Sequence, residues 1–169
     1  MTRSLFELKI QGEDPPPETA TYLNKITTST VVKKTVSQGA LDDQMTVLFK
    51  EDTADFGTLA ASATRAIDLQ TALDAFGEAL ALTDVVLLYL KHKDASLASS
   101  ISFQAAAANG LTNLLSATAN LTLKPGDFIV VGAFAADSLV VAAGNKALDI
   151  INDDGVNAAD YAFEVWGRI

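Results

Sequence analysis

Six consecutive apolar residues, Val85-Val86-Leu87-Leu88-Tyr89-Leu90, stand between Asp84 and the polar run Lys91-His92-Lys93-Asp94. A run this short, partly β-branched and aromatic and bounded by turn-formers, fits a strand covered on both faces better than a helix. The segments after it read as further strands built around that one.

Upstream, Phe6, Leu8 and Ile10 alternate with Glu7 and Lys9, the period-2 mark of a half-buried strand. Pro15-Pro16-Pro17 closes that segment as a stiff spacer, because proline fixes φ and donates no backbone hydrogen bond. Thr30–Val36 and Gln44–Lys50 are rich enough in β-branched residues for two more strands. These segments are too few to bury a core, so residues 1–54 are expected to form an extended N-terminal arm and residues 55–169 the folded domain. Within that domain, Thr58–Leu69 suits a strand. Leu69, Leu73, Phe76 and Leu80 also recur at helical spacing, which makes a helix over 67–82 the rival reading.

Past the central run, Ala98–Phe103 returns as a strand, and Gln104–Ala117 is a loop with an Asn109-Gly110 turn signal. Asn120-Leu121-Thr122-Leu123, the turn Lys124-Pro125-Gly126-Asp127 and Phe128-Ile129-Val130-Val131 predict a hairpin, with Pro presetting φ and Gly supplying positive φ. Leu139–Val141, Ala147–Ile151 and Tyr161–Trp166 supply three further strands. Short strands at even spacing imply an all-β chain, an antiparallel β-sandwich of jelly-roll-like type.

Charge excludes some partners. With 12 Lys and Arg against 21 Asp and Glu, the chain carries −9 and is expected to repel phosphate backbones and anionic lipid, so neither nucleic acid nor membrane is an expected partner. It has no cysteine, which removes disulfides, thiolate metal sites and a Cys nucleophile and suits a protein made in the cytoplasm. Arg3 and Glu7 interrupt any apolar stretch at the start, which therefore does not read as a signal peptide.

Several segments from Thr58 to Trp166 carry a resemblance by their order and spacing: Thr58–Thr64, Ile67–Leu69, Asp74–Gly77, Leu88–Lys91, Leu123–Phe128, Val141–Gly144 and Leu148–Asn152. In this order they resemble a group of small tailed-bacteriophage virion proteins with a jelly-roll-like domain. The resemblance spans about two-thirds of the chain. It implies a virion structural protein made in the host cytoplasm, partnered by the major capsid protein or other virion proteins, and a homo-oligomer, a trimer at a shell threefold.

Candidate chemistry is sparse. His92 is the single histidine, set between two lysines; it supplies no multi-histidine metal site, and no Gly-x-Ser-x-Gly elbow accompanies it, so it reads as a solvated turn residue. Asp149, Asn152, Asp153, Asp154, Gly155, Asn157 and Asp160 offer the oxygen ligands of a calcium loop without EF-hand spacing, and read as a polar turn. Asp42-Asp43 and Glu51-Asp52 are adjacent pairs, which on a strand point to opposite faces and so do not make a glycosidase pair. Tyr161, Phe163 and Trp166 are expected in a core or interface rather than as a sugar platform. No cofactor, metal or catalytic residue is expected.

The residues expected to make contacts are Phe6, Leu8, Ile10, Val31, Lys33, Lys34, Val47 and Phe49, as apolar anchors and edge lysines of the arm. The reading is a non-enzymatic capsid decoration or cement protein. The alternative is a head- or tail-fibre module that recognises a host glycan through loops 104–117 and 133–138.

Overall fold

The computed structural model describes residues 3–13, 27–38, 44–45, 47–51, 57–73, 79–94, 99–135 and 139–169. Its strands are β1 (Arg3–Glu13), β2 (Thr27–Gln38), β3 (Gln44–Met45), β4 (Val47–Glu51), β5 (Thr58–Leu59), β6 (Thr64–Asp68), β7 (Asp84–His92), β8 (Ile101–Ala105), β9 (Asn120–Leu123), β10 (Phe128–Gly132), β11 (Ala147–Asn152) and β12 (Ala159–Arg168). Among the described residues there is no helix, so the helical reading of 67–82 fails. Leu69, Leu80 and Leu82 are buried, with Leu69 and Leu82 tied by a backbone hydrogen bond. The Pro15–Pro17 spacer lies outside the described residues.

The chain divides into two units, Met1–Gln38 and Gly39–Ile169. The second is an antiparallel β-sandwich. One sheet runs β10-β7-β12-β4 with β5 added on β12, and the other runs β6-β11-β8-β9. Leaving β5 aside, these eight strands interleave as in a jelly roll: only β8 and β9 are successive strands paired within one sheet, and every other connection crosses between sheets. The division falls at 38/39 and not at the expected 54/55, because β4 pairs with β12 from Gly167↔Val47 to Phe163↔Glu51. Phe49 then meets Phe163 edge to face, ring centroids 6.3 Å apart, and is buried.

β7 occupies the interior of its sheet, paired with β10 on one side and β12 on the other, and all but two of its residues are buried. The uninterrupted apolar run is thus explained by a strand whose both faces are covered. Leu88, Leu90, Phe163 and Val165 from this sheet meet Ile101, Phe103, Leu148 and Ile150 from the other in one core. Two glycines make the geometry possible. Gly126 takes φ 89° in the Lys124–Asp127 turn, the left-handed conformation expected there. At the bulge between Trp166 and Gly167, a Cβ on Gly167 would stand 2.5 Å from the Asp84 carbonyl oxygen.

The expected hairpin over 120–131 is corrected. Its turn is present, with Asp127 N–H donating to the Lys124 carbonyl at 2.9 Å. Its two strands, however, enter different sheets, β9 against β8 and β10 against β7. Thr58–Leu69 splits into β5 and β6 at a turn where Ser62 takes φ 55°. Leu139–Val141 contributes only an isolated bridge, Val140 to Asp84.

The first unit is an antiparallel ribbon of β1 and β2, in register from Arg3↔Ser37 to Glu13↔Thr27. Phe6 stands opposite Lys34, Leu8 opposite Val32 and Ile10 opposite Thr30, while Glu7 and Lys9 stand opposite Lys33 and Val31.

Candidate functional site

His92 ends β7 and, with Tyr161 as its register partner, continues the inward series Leu88, Leu90, His92. Its side chain is fully buried, which overturns the solvated-turn reading. The flanking lysines misled because alternation sends Lys91 outward and His92 in. Its N–H donates to the Asp127 carbonyl and its carbonyl accepts from Gly126 N–H, so the strand end is stitched to the β9–β10 turn.

Around the ring, Nε2 lies 3.3 Å from Asp94 Oδ2 and 3.3 Å from Ser99 Oγ, and the Ser99 hydroxyl donates to the same carboxylate oxygen at 3.0 Å. A nucleophilic relay places serine on one imidazole nitrogen and aspartate on the other. Here both converge on Nε2, Nδ1 is buried with no hydrogen-bond partner, and Ser99 is 1% exposed. The cluster is a clasp joining the end of β7 to the residue group before β8. It is not laid out as a relay.

The acidic segment 149–160 is consumed by its own turn. The buried Asn152 donates its Nδ2 to the carbonyls of Leu59, Ala60 and Asn157, while its Oδ1 accepts from Asp154 N–H. Asp154 Oδ1 caps Val156 and Asn157 N–H, and Oδ2 accepts from the Asn157 amide. Asp153 accepts from the Ser100 and Ser102 hydroxyls, and Asp160 from Thr58. Among the described residues no group of three or more acidic or histidine side chains is placed to share one metal ion. Burial pushes the Asp149 carboxyl above its ordinary value.

The bond from the Asn157 amide, then those from Val156 and Asn157 N–H, hold the Asp154 carboxyl below its ordinary 3.8. A carboxyl lowered by folding stabilises the folded loop above the unfolded value and loses that contribution as pH falls through the folded one. NMR titration should find the Asp154 midpoint below 3.8, with exchange protection of Val156 and Asn157 lost over the same interval. Asp154→Asn keeps the backbone acceptor and should remove that acid-range transition.

Tyr161 and Phe163 are wholly buried and Trp166 nearly so, which places them in the packed structure and leaves no sugar-stacking platform there. At the other end of β7, Arg168 donates to the Phe134 carbonyl and lies 3.8 Å from Asp84, a buried ionic lock on the last strand.

Of the eight expected contact residues, Phe49 is a core residue and Val47 opposes Gly167 of β12. Phe6, Leu8 and Ile10 lie on β1, and Val31, Lys33 and Lys34 on β2, the paired strands of the first unit.

The sequence reading missed a second feature. β9 and β10 are edge strands of different sheets. Residues of both line an open groove of about 320 Å³, Leu121, Thr122, Leu123, Phe128 and Ile129 with the turn residues Gly126 and Asp127. Leu121 and Phe128 are 40% and 49% exposed. The signal in the sequence is that both strands, Asn120–Leu123 and Phe128–Gly132, lack any charge. Compared with protein-family models, with curated proteins and with solved structures, the chain matches none of them.

Proposed function

We propose that this protein is a non-enzymatic structural component of a tailed-phage particle, a capsid decoration or cement protein that grips the shell through its N-terminal ribbon. The observation that carries the reading is an eight-strand sandwich with jelly-roll strand order, an architecture found among viral capsid domains, preceded in the chain by a unit of long paired strands in which Phe6, Leu8 and Ile10 alternate with Glu7 and Lys9. Jelly rolls host many functions, so the ribbon narrows the choice. Charge supports the division of labour. Residues 1–38 hold five Lys and Arg against four Asp and Glu, whereas residues 39–169 hold seven against seventeen. The near-neutral ribbon suits close contact with a protein surface, and the acidic body repels its neighbours and stays soluble. The partners would be the major capsid protein or other virion proteins, and the place of action the virion.

Burying an apolar side chain of the ribbon is worth roughly 1.5–3 kcal/mol, so a few anchors suffice for tight binding. Purified shells mixed with the full chain and with a chain lacking residues 1–38 decide the matter by cosedimentation and electron microscopy. The full chain should decorate shells, and the shortened chain should fold and fail to bind. Decoration that survives the deletion would refute the ribbon as the grip. A full chain that ignores shells but adsorbs to host cells would replace cementing by glycan recognition through the loops.

A further inference from the structure

The four edge strands of the sandwich are not treated alike. β4 carries Lys50 and Glu51, and β6 carries Arg65 and Asp68, the charges that deter a free edge from pairing with another chain. β9 reads Asn-Leu-Thr-Leu and β10 Phe-Ile-Val-Val-Gly, with no charge and no proline. The protection stops at one side of the molecule. That side also holds the groove and two of the large exposed hydrophobic residues, Leu121 and Phe128.

The backbone there has a definite polarity. His92 N–H donates to the Asp127 carbonyl and Ala133 N–H to the Val86 carbonyl. By antiparallel alternation, Asp127, Ile129, Val131 and Ala133 turn their backbone groups toward β7. Those of Phe128, Val130 and Gly132 point away from the sheet, and no described residue pairs with them.

We infer that β10 is the self-association edge of this protein, pairing antiparallel with β10 of a second copy about a twofold axis through Val130, with Leu121 and Phe128 closing over the groove. A second copy is the occupant because the edge is complementary to itself. About that axis Val130 opposes Val130, Ile129 opposes Val131 and Phe128 opposes Gly132, so every opposed pair is apolar and no like charges meet. The outward groups of Phe128, Val130 and Gly132 find partners in the same geometry. A partner with a charged edge strand would instead set its charges against this neutral strip. The twofold comes from the edge itself, whereas the threefold follows only from the family resemblance. The inference supplies the homo-oligomer contact of the cementing role, and rests on that reading only for its purpose.

Sedimentation velocity of the full chain across micromolar concentrations tests it. The chain should dimerise, and more tightly at high salt, because salt screens the repulsion between two bodies of net negative charge. Val130→Lys sets like charges face to face on the axis and should weaken the dimer by about tenfold or more, while Val130→Thr, which keeps backbone pairing, should leave it in place. Phe128→Lys, at an exposed position, is the second disrupting variant should Val130→Lys lose its fold by circular dichroism. A chain that stays monomeric at high salt overturns the inference. So does a dimer unaffected by a folded lysine variant. Shell binding is read separately. A monomeric edge variant that still decorates shells leaves cementing intact, and a dimer that never binds shells leaves the edge assignment intact.

Discussion

Phe163→Ala should lower the unfolding free energy by about 3–5 kcal/mol, the range for removing a fully buried aromatic ring from a core that relaxes only in part. Phe163 has no exposure and sits in the middle of β12, opposite Leu90 on one side and β4 on the other. For a chain of this size that loss corresponds to a fall in Tm of roughly 10 °C. Phe128→Ala makes the control, because that ring is 49% exposed and is expected to cost well under half as much. A double-mutant cycle with Phe49→Ala adds a sharper statement. The edge-to-face contact predicts a coupling of about 0.5–1.5 kcal/mol. Additive effects within error would mean that β4 does not pack on β12, and the division of the chain at residue 38/39 would be wrong.

Asn152→Ala should cost about 2–3 kcal/mol, because three carbonyls, of Leu59, Ala60 and Asn157, share its amide in a place closed to water. Asn152→Asp should be worse at neutral pH, since the isosteric side chain turns a carboxylate toward those same oxygens. Its sign with pH is diagnostic. The repulsion and burial raise the introduced group's pKa in the folded state, so its protonated form is the tolerated one. Stability relative to the parent should therefore improve as pH falls and worsen as pH rises through the raised value. Denaturant titrations at acidic and neutral pH measure it. Equal destabilisation at both would show that the amide makes no contribution beyond its shape.

What the sequence disclosed and withheld follows from the range of the forces involved. The central strand and the Lys124–Asp127 turn were readable because an apolar run and a Pro-Gly pair act over a few neighbouring residues. The membership of β4 was not, since its partner β12 lies more than a hundred residues further along and nothing near Phe49 names it. The same turn chemistry serves a hairpin within one sheet or a crossing between two, so β9 and β10 were joined in the reading and separated in the fold. His92 was available to a stricter reading, because the inward alternation of Leu88 and Leu90 reaches it; the neighbouring lysines outweighed that period.

β12 is the seam of the whole body: it pairs with β4, β5 and β7, and lies after all of them in the chain. A ribosome delivers residues from the N-terminus onward, so seven strands of the jelly roll emerge before the one that joins them. Until residues 159–168 clear the exit tunnel, β7 has an apolar flank and a row of open backbone groups with no native neighbour on that side. Synthesis of this protein thus includes an interval in which the nascent chain depends on chaperones or on speed, and the folding of its body waits on the delivery of β12 rather than keeping pace with translation.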